Sequence, residues 1–292
     1  MNVKYSDNRK VFNYHNDGNG DIPFLSFDML DKLGVPNLYT TRFKSYDSKA
    51  GSGEQGVRVT CMRNDDAAEA RPVVLAGLSE LAEQLGTDIE HACVTRQEHT
   101  ANVKLVKSED LGLWYSMDRT EDIDGLVTDV PGACLMVYGA DCPSVYIVDP
   151  VKKAIALVHA GWKGTLAKIP EAAINMMVKE YGCEPSDMYA AIGPSICENC
   201  YEMGDEIYVL FSQQWSREDA DELMKRHESG KYHLDLWKAN LMTMERSGIP
   251  RNHIEITNIC TCCNPDTFYS YRAHRMENEQ VAMLVNRISL LD

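Results

Sequence analysis

Three apolar runs separated by very short turns constrain the fold of this 292-residue chain more than any other feature. They lie within "GACLMVYGADCPSVYIVDPVKKAIALVHAGWKGT", residues 132–165. Each run is short, bounded by turn-forming Gly, Asp or Pro, and rich in β-branched and aromatic residues, which is typical of a buried strand. The stretch predicts a strand, a tight turn and a second strand, followed by a third strand that ends at His159.

Helical patterns flank these strands. Leu78 and Leu81 belong to a helical repeat that Gly86 ends, and Pro170 opens a second helix that ends at Gly182. Strands and helices interleave, but hairpin-like pairs also occur, and no Pro/Gly/Ser-rich linker divides the chain. This pattern predicts a mixed α/β or α+β single domain with layered sheets.

Other segments give weaker patterns. Residues 1–40 are interpreted as a loosely ordered lead-in with one or two strands, and residues 51–56 as a flexible loop. Residues 91–106 are predicted to form one strand with a bend near Thr100. The charged stretch 217–231 is interpreted as a solvated surface segment.

The charge balance limits the classes of partner. The net charge of −15 opposes extended binding to nucleic acid or to an acidic bilayer, although a local group of Arg and Lys can still bind a small anion. The N-terminus has no apolar signal region, and no run reaches the length of a membrane span. We therefore expect a cytoplasmic protein, whose ten cysteines are reduced thiols or metal ligands.

Candidate catalytic residues cluster at the predicted strand ends. Cys142 follows Asp141 in the turn between the first two strands, His159 ends the third strand, and His99 lies near another strand-to-turn transition. Two imidazoles and one thiolate suit zinc with an open fourth position. The same atoms also suit a Cys142 nucleophile with His159 as its base and Asp141 nearby, and the spacing alone leaves both chemistries open.

Two Cys-x-x-Cys pairs lie further along, at Cys197–Cys200 and Cys260–Cys263. Together they could form a four-cysteine zinc site. The favoured interpretation is that they are reduced, partly buried thiols, because the first pair lacks knuckle-like residues and leads into an apparent helix start.

Three basic residues are candidates for binding an anionic ligand. They are Arg42, Lys163 and Arg272. The planar guanidinium group of an arginine suits phosphate or carboxylate.

Taken together, these motifs resemble the YfiH-like or laccase-domain family, also called multicopper polyphenol oxidase-like, whose more recent members are described as purine nucleoside phosphorylases. The matching segments run in the family's order from about residue 38 to the C-terminus. They are "TTRF", "RQEHTANV", "DGLVTDVPGACLMVYGADCPSVYIVDP", "ALVHAGWKGT", "AIGPSICENCYEMGDEI", "HLDLWKAN" and "ICTCCNPDTFYSYR".

The resemblance implies that His99, Cys142 and His159 bind one metal ion, zinc, with copper as the less favoured metal. It implies a single-domain, layered α-β-β-α sandwich with mixed sheets, similar to bacterial cysteine-hydrolase toxins. Residues 1–37 are then an N-terminal lead-in packed on a catalytic domain of residues 38–292. The Cys-x-x-Cys pairs would need no zinc of their own.

This chain departs from the family pattern at three places. The Asn-Arg that usually follows an early Gly-Asp-Asp segment is missing, and this chain has "RNDDAAEARP" there. Thr100 stands where the family usually has glycine, and Ala273–Glu277 stands where a second arginine and Thr-Gly-Arg are common. These last two departures bear on the substrate pocket.

The resemblance further implies zinc-dependent phosphorolysis of adenosine, inosine or methylthioadenosine, and adenosine deamination. Asp141 would transfer a proton or orient water, and Arg272 would bind substrate or phosphate. The partners expected are a nucleoside and phosphate, with no nucleic acid and no membrane, for a monomer or small homo-oligomer.

Two alternatives are a metal- or cysteine-dependent hydrolase that edits peptidoglycan precursors, and a non-catalytic metal-binding protein. Polyphenol oxidation is least favoured, because none of the eight histidines forms a His-x-His pair.

Overall fold

Two six-stranded sheets lie face to face between two layers of helices in the computed structural model of the chain. The structure describes residues 11–16, 22–42, 67–112, 122–274 and 279–288. The loop expected at residues 51–56 lies outside these ranges.

The helices within the described residues range from four to eighteen residues. They are α1 Asp28–Lys32, α2 Ala67–Gln84, α3 Trp162–Leu166, α4 Ile169–Tyr181, α5 Asp205–Gln214, α6 Arg217–Leu223, α7 Leu236–Arg246 and α8 Tyr271–His274. In the described part of the chain, none of them has both the length and the apolar composition that a bilayer crossing requires.

The strands are short. They are β1 Phe12–His15, β2 Phe24–Phe27, β3 Asn37–Thr40, β4 Ala92–Val94, β5 Val103–Leu105, β6 Gly125–Thr128, β7 Cys134–Gly139, β8 Ser144–Asp149, β9 Ala154–His159, β10 Tyr189–Ile192, β11 Glu202–Met203, β12 Met224–Arg226, β13 Tyr232–Leu234, β14 Ile254–Ile256 and β15 Gln280–Val285.

Both large sheets are mixed. The first has the order β1-β2-β3-β15-β7-β4, and only its β4–β7 pair is parallel. The second has the order β14-β10-β8-β9-β6-β5, with β10–β14 and β5–β6 parallel. Strands β11, β13 and β12 form a small separate sheet.

The two large sheets bury both of their faces, which explains the unbroken apolar runs in the sequence. In β7, Leu135 and Val137 belong to the core between the sheets, whereas Met136 belongs to the outer core under α2. Leu157 of β9 also points into the core between the sheets and is fully buried. Successive side chains of a strand point to opposite faces, so central strands such as β7 and β9 contribute to two cores.

Helices cover the outer faces of the sandwich. Leu78, Leu81 and Leu85 of the α2 region pack on the first sheet, while α4 and α7 pack on the second. Pro170 lies in the first turn of α4, and Gly182 ends the helix in the left-handed conformation with φ 64°. The order of layers is therefore α-β-β-α, and the predicted mixed α/β fold class is confirmed.

The two strands predicted on either side of the tight turn are present, but they do not pair with each other as a hairpin. Strand β7 lies in the first sheet and β8 in the second, so the turn Ala140–Pro143 carries the chain from one sheet to the other. The hairpin partner of β8 is β9, with Ser144 opposite His159 and Asp149 opposite Ala154.

Two further predictions need correction. Residues 91–106 form two strands in different sheets, β4 and β5, instead of one bent strand. The first forty residues supply three strands of the first sheet, with β2 and β3 fully buried, because they shield one side of the core between the sheets. Most of residues 217–231 are exposed, as predicted for a solvated surface segment, although the segment includes α6 and β12, and Ala220 and Leu223 pack into the outer core of the second sheet.

The β8–β9 connection is a tight turn at residues 150–153. The carboxylate of Asp149 accepts hydrogen bonds from the backbone N–H groups of Val151 and Lys152, both at 2.9 Å. The side chain of Val151 is 62% exposed. An Asx-type turn of this kind closes the hairpin, and the side-chain amide of Asn286 donates to the carbonyl of Lys153 at 3.0 Å.

Candidate metal centre

One end of the sandwich collects the strand ends that carry the candidate residues. Strands β4 and β7 are parallel and run towards the same end of the sheet, and β7 leads through Ala140–Pro143 into β8. The first residue of β8, Ser144, lies opposite the last residue of β9, His159. This edge therefore brings together His99, Cys142 and His159, which are far apart in sequence.

The segment that leads from β4 to His99 is held in place by the side chain of Gln97. The side-chain amide of Gln97 donates to the carbonyl of Tyr138 and accepts from its N–H, both at 2.7 Å, so Gln97 continues the pairing with β7. His99 itself has φ 61°, a left-handed conformation that is unusual for a residue with a side chain. Such strain is typical of positions where a functional group must point in a fixed direction.

Cys142 lies in the turn between the two sheets, next to Asp141, which has φ 86°. Asp141 is buried, and one carboxylate oxygen accepts from the Thr261 hydroxyl at 2.6 Å while the other accepts from the Arg272 N–H at 2.7 Å. Asp141 therefore ties the Cys142 turn to two distant segments, and its carboxylate is engaged on both oxygens.

The ligand atoms of His99, Cys142 and His159 all lie within 4.8 Å of one another. The Cys142 Sγ to His99 Nε2 distance is 3.9 Å. Zinc with Zn–S of about 2.3 Å and Zn–N of about 2.0–2.1 Å requires tetrahedral S···N separations of about 3.5 Å. Small side-chain adjustments would meet this requirement, so these residues fit a zinc ion with one position left open.

Asp124 orients the second histidine. It is fully buried, and its Oδ1 lies 2.8 Å from Nδ1 of His159, which leaves Nε2 as the ring nitrogen that faces the cluster. The carboxylate also accepts hydrogen bonds from the backbone N–H groups of Glu98, His99 and Thr100 at 3.2, 3.0 and 2.7 Å. A carboxylate behind a ligating histidine fixes its tautomer and strengthens it as a ligand.

Thr100 adds a contact that glycine could not make. Its hydroxyl donates to Oδ2 of Asp124 at 2.7 Å, besides the bond from its backbone N–H. The departure from the family's usual glycine therefore strengthens the support of Asp124 rather than filling the space beside the ligands.

Burial and neighbouring charges shift the pKa values of Cys142, His159 and Asp124. Burial acts to raise the pKa of Cys142, but the neighbouring imidazoles of His159 and His99 outweigh burial and lower the pKa to about 7. Burial acts to lower the pKa of His159, but the Cys142 thiolate and Asp124 raise it to about 10. Burial acts to raise the pKa of Asp124, and the bonds from His159 and Thr100 lower it to about 2. These directions favour a Cys142 thiolate.

Gly161 leaves room for the cluster. A Cβ atom built on Gly161 would lie 2.7 Å from Cδ2 of His99, 3.1 Å from Sγ of Cys142 and 3.5 Å from Cε1 of His159. Its backbone, with φ −60° and ψ 169°, suits any residue. The absence of a side chain at this position is therefore required by space alone.

One basic candidate, Arg272, is joined to the same end of the sandwich by the bond from its backbone N–H to Asp141. Arg272 donates from its guanidinium to the carbonyls of Cys200 and Glu202 at 3.1 and 3.2 Å, and its charged group lies 5.4 Å from the centre of the Tyr201 ring. Those bonds use two of the five donors of a guanidinium.

The other two basic candidates are placed differently. Arg42 lies two residues beyond the end of β3 and donates to the carbonyl of Pro265 at 2.7 Å and to Nε2 of His274 at 3.0 Å. Lys163 is exposed on α3, and its ammonium lies 5.7 Å from the centre of the Trp162 ring. Lys163 therefore lies close to the cluster in sequence and remains accessible to a ligand.

Sequence patterns alone assign no role to Asp124 or Tyr201. Asp124 precedes a strand in an Asp-Gly pair, and its role arises only because β6 pairs with β9. Tyr201 lies near Cys142, Asp141 and Arg272, and burial together with the Cys142 thiolate raises the pKa of its hydroxyl. The tryptophan-lysine turn gave a signal for Gly161, because glycine precedes it directly.

Comparisons with known proteins show which family the chain belongs to. The family model described as multi-copper polyphenol oxidoreductase laccase matches residues 57–287. A purine nucleoside phosphorylase of Bacteroides thetaiotaomicron is 35% identical over 265 residues, which cover 86% of this chain and 92% of that protein. Adenosine deaminase RL5 from an unknown prokaryotic organism is 32% identical over 241 residues, covering 82% and 88%.

A solved structure shares the fold. YlmD from Geobacillus stearothermophilus superposes with a TM-score of 0.78 at 26% identity, covering 94% of this chain and 98% of that one. With the family model spanning most of the sequence, the chain belongs to the YfiH-like, laccase-domain family that this model describes as multi-copper polyphenol oxidoreductase laccase.

Proposed function

We propose that this protein is a zinc-dependent purine nucleoside phosphorylase. The observation that carries the proposal is the convergence of His99, Cys142 and His159 at one end of the sandwich, with Asp124 behind His159. The names of similar proteins, purine nucleoside phosphorylase and adenosine deaminase, support a purine nucleoside as the substrate class.

The metal choice follows from the donor set. Two imidazoles and one thiolate are the ligands of a catalytic zinc site with an open position. When bound, zinc supplies positive charge that stabilises negative charge developing on a neighbouring substrate oxygen. The chain's own part is to hold the three donors, and Asp124 keeps His159 in the tautomer whose Nε2 faces the cluster.

Phosphorolysis requires that the purine–ribose bond at C1′ breaks and that a phosphate oxygen bonds to the same carbon. The purine leaves with the bonding electrons and takes up a proton. We assign phosphate binding to Arg272, whose guanidinium keeps three donors beyond its two carbonyl bonds, and to Arg42 and Lys163 as further cations. These local charges offset the −15 net charge that repels a dianion.

Asp141 is assigned an orienting role. Its two oxygens already accept hydrogen bonds from Thr261 and from the backbone of Arg272. These contacts favour positioning of the Cys142 turn and of Arg272 over direct proton transfer.

The test is incubation of the pure, zinc-loaded protein with adenosine and phosphate, followed by chromatography. Adenine together with ribose 1-phosphate is the expected result, and its formation must depend on phosphate. Inosine with ammonia, formed without phosphate, would instead assign deamination. Absence of turnover for adenosine, inosine and methylthioadenosine would reject a nucleoside substrate.

A second function is favoured by one specific observation. Cys142, His159 and Asp124 form a relay in which Asp124 bonds Nδ1 of His159 and the imidazoles lower the pKa of Cys142 to about 7. This arrangement suits a cysteine nucleophile that hydrolyses peptide-like bonds, including those of peptidoglycan precursors. Metal dependence separates the two functions. A cysteine hydrolase remains active after the metal is removed by a chelator and is inactivated by thiol alkylation. The zinc enzyme loses activity on chelation and regains it only when zinc is added back.

Polyphenol oxidation remains the least favoured activity despite the family description. The potential metal clusters among the described residues are the His₂Cys set and a group of four cysteines. Neither resembles the histidine-rich copper sites that multicopper oxidation requires.

A further inference from the structure

A second group of metal-ligating side chains lies beside the candidate metal centre. The two Cys-x-x-Cys pairs follow β10 and β14, which are parallel neighbours, so both segments leave the second sheet at the same end. Beyond the strands the segments stay paired, with Ser195 N–H bonded to the carbonyl of Ile259 and Thr261 N–H bonded to that of Ser195. Sheet pairing therefore brings the two cysteine pairs together.

The four sulfurs converge on one point. The Sγ atoms of Cys197, Cys200, Cys260 and Cys263 all lie within 4.8 Å of one another. The Cys200 and Cys263 sulfurs are 3.5 Å apart, well beyond the disulfide length of about 2.05 Å. A tetrahedral ion with metal–sulfur bonds of about 2.3 Å requires sulfur separations of about 3.8 Å, which small side-chain adjustments would give.

Backbone N–H groups are directed at one of the sulfurs. Sγ of Cys260 accepts hydrogen bonds from the N–H groups of Cys197 and Cys263, both at 3.3 Å. A sulfur that accepts two N–H bonds is suited to carry the negative charge of a thiolate ligand. The segment after Cys197 is a single 3₁₀ turn followed by β11, so the helix start inferred from the sequence is displaced to α5.

We infer that Cys197, Cys200, Cys260 and Cys263 bind a second metal ion, a zinc held by four thiolates in a closed structural site. The spacing accommodates a single ion rather than a larger cluster, and zinc is the ion that closed four-cysteine sites hold in structural roles. The separate reduced thiols favoured by the sequence analysis do not explain why four sulfurs from two segments share one centre.

The four-cysteine site is linked by hydrogen bonds to groups of the candidate metal centre. Arg272 donates to the carbonyl of Cys200, and Thr261, between two of the cysteines, donates to Asp141. A metal that joins the two segments would therefore fix the partners of both Asp141 and Arg272. The inferred site acts by positioning these groups and has no open position for substrate.

The inference is tested by metal content and by zinc-edge X-ray absorption. The full chain, purified without chelators, is compared with the variants Cys260→Ser and Cys262→Ser. We expect Cys260→Ser to lose one zinc per chain relative to the unsubstituted protein, and Cys262→Ser, which changes a cysteine outside the four, to lose none. The measured quantity is the difference in zinc content between each variant and the unsubstituted protein, so the result does not depend on whether the His99 site is filled.

A second measurement serves if Cys260→Ser fails to fold. The variant Cys142→Ser removes a ligand of the other centre only, and we expect its remaining zinc to show four sulfur neighbours at about 2.3 Å. Nitrogen neighbours, absence of zinc, the visible absorption of an iron–thiolate centre, or a disulfide among the four cysteines would each overturn the inference.

Discussion

Substitution of Gly161 by alanine tests the proposed metal centre directly. The added Cβ would lie 2.7 Å from Cδ2 of His99 and 3.1 Å from Sγ of Cys142, whereas ordinary carbon contacts are about 3.5–4.0 Å. The His99 ring must then move by about 1 Å, while zinc–ligand distances tolerate deviations of about 0.2 Å. Backbone strain does not contribute, because φ at Gly161 is −60°.

The expected magnitude follows from the cost of overpacking. An extra methyl group in a closely packed site costs about 1–3 kcal/mol. In the metal-free protein the half-buried His99 can turn aside, so most of this cost falls on the metal-bound state. At about 1.4 kcal/mol per tenfold change, zinc affinity should fall by about 5- to 150-fold.

The assay is competition for zinc with a chromophoric chelator, together with thermal unfolding of metal-free and zinc-loaded protein. The matched control is Gly193→Ala, another buried glycine, where the nearest atom to an added Cβ is Cδ2 of Tyr39 at 3.3 Å. The control should keep its zinc affinity. A Gly161→Ala protein that binds zinc as tightly as the unsubstituted chain would refute the placement of the metal between these ligands.

Three further outcomes are expected. Asp124→Asn should weaken zinc binding by about 10- to 100-fold in the same competition assay, because it loses the carboxylate behind His159, and unchanged affinity would contradict that role. In the metal-free protein the pKa of Asp124 is lowered from 3.8 to about 2, so its stabilisation is complete above about pH 4 and is lost as the pH falls towards 2. At about 1.4 kcal/mol per unit this amounts to about 2 kcal/mol, and urea unfolding at several pH values should show an acid-side loss that Asp124→Asn lacks. Leu157→Ala, in the core between the sheets, should lower the free energy of unfolding by about 2–5 kcal/mol, whereas Val178→Ala, at 38% exposure, should change it by less than about 0.5 kcal/mol, and equal effects would contradict the core assignment.

Local signals predicted those elements whose ends carry distinctive residues. Pro170 and Gly182 mark the two ends of α4, where fixed φ and a left-handed cap are required. The strand that ends at His159 was likewise evident from its apolar run and the glycine that follows. The exposed position of Val178 on the same helix was not predicted, since helical spacing alone does not show how wide the covered face is.

The assignment of strands to sheets was beyond the sequence signals. In β7 and β8 all residues are buried, so no alternation of apolar and polar residues indicates which face meets which layer. A turn between two such strands reads as a hairpin whether it stays in one sheet or crosses to another. Tertiary packing decides the outcome at Ala140–Pro143.

Sequence motifs point to the three candidate ligands but not to the residue that supports them. His99, Cys142 and His159 belong to distinctive motifs, whereas Asp124 meets His159 across 35 residues through strand pairing. The four cysteines were visible as two motifs, but their convergence depends on β10 and β14 being parallel neighbours. Spacing along the chain gives no information on such pairings.

The Asx turn that closes β8 and β9 offers a handle for engineering. It lies at the opposite end of the hairpin from Ser144 and His159, since Asp149 and Ala154 form the last pair of the register. A fluorophore, an affinity tag or new chain termini placed at Val151 would sit at the length of a six-residue strand from the ligands. Forms of the protein that are immobilised or circularly permuted at Val151 should leave the candidate metal centre accessible to solvent.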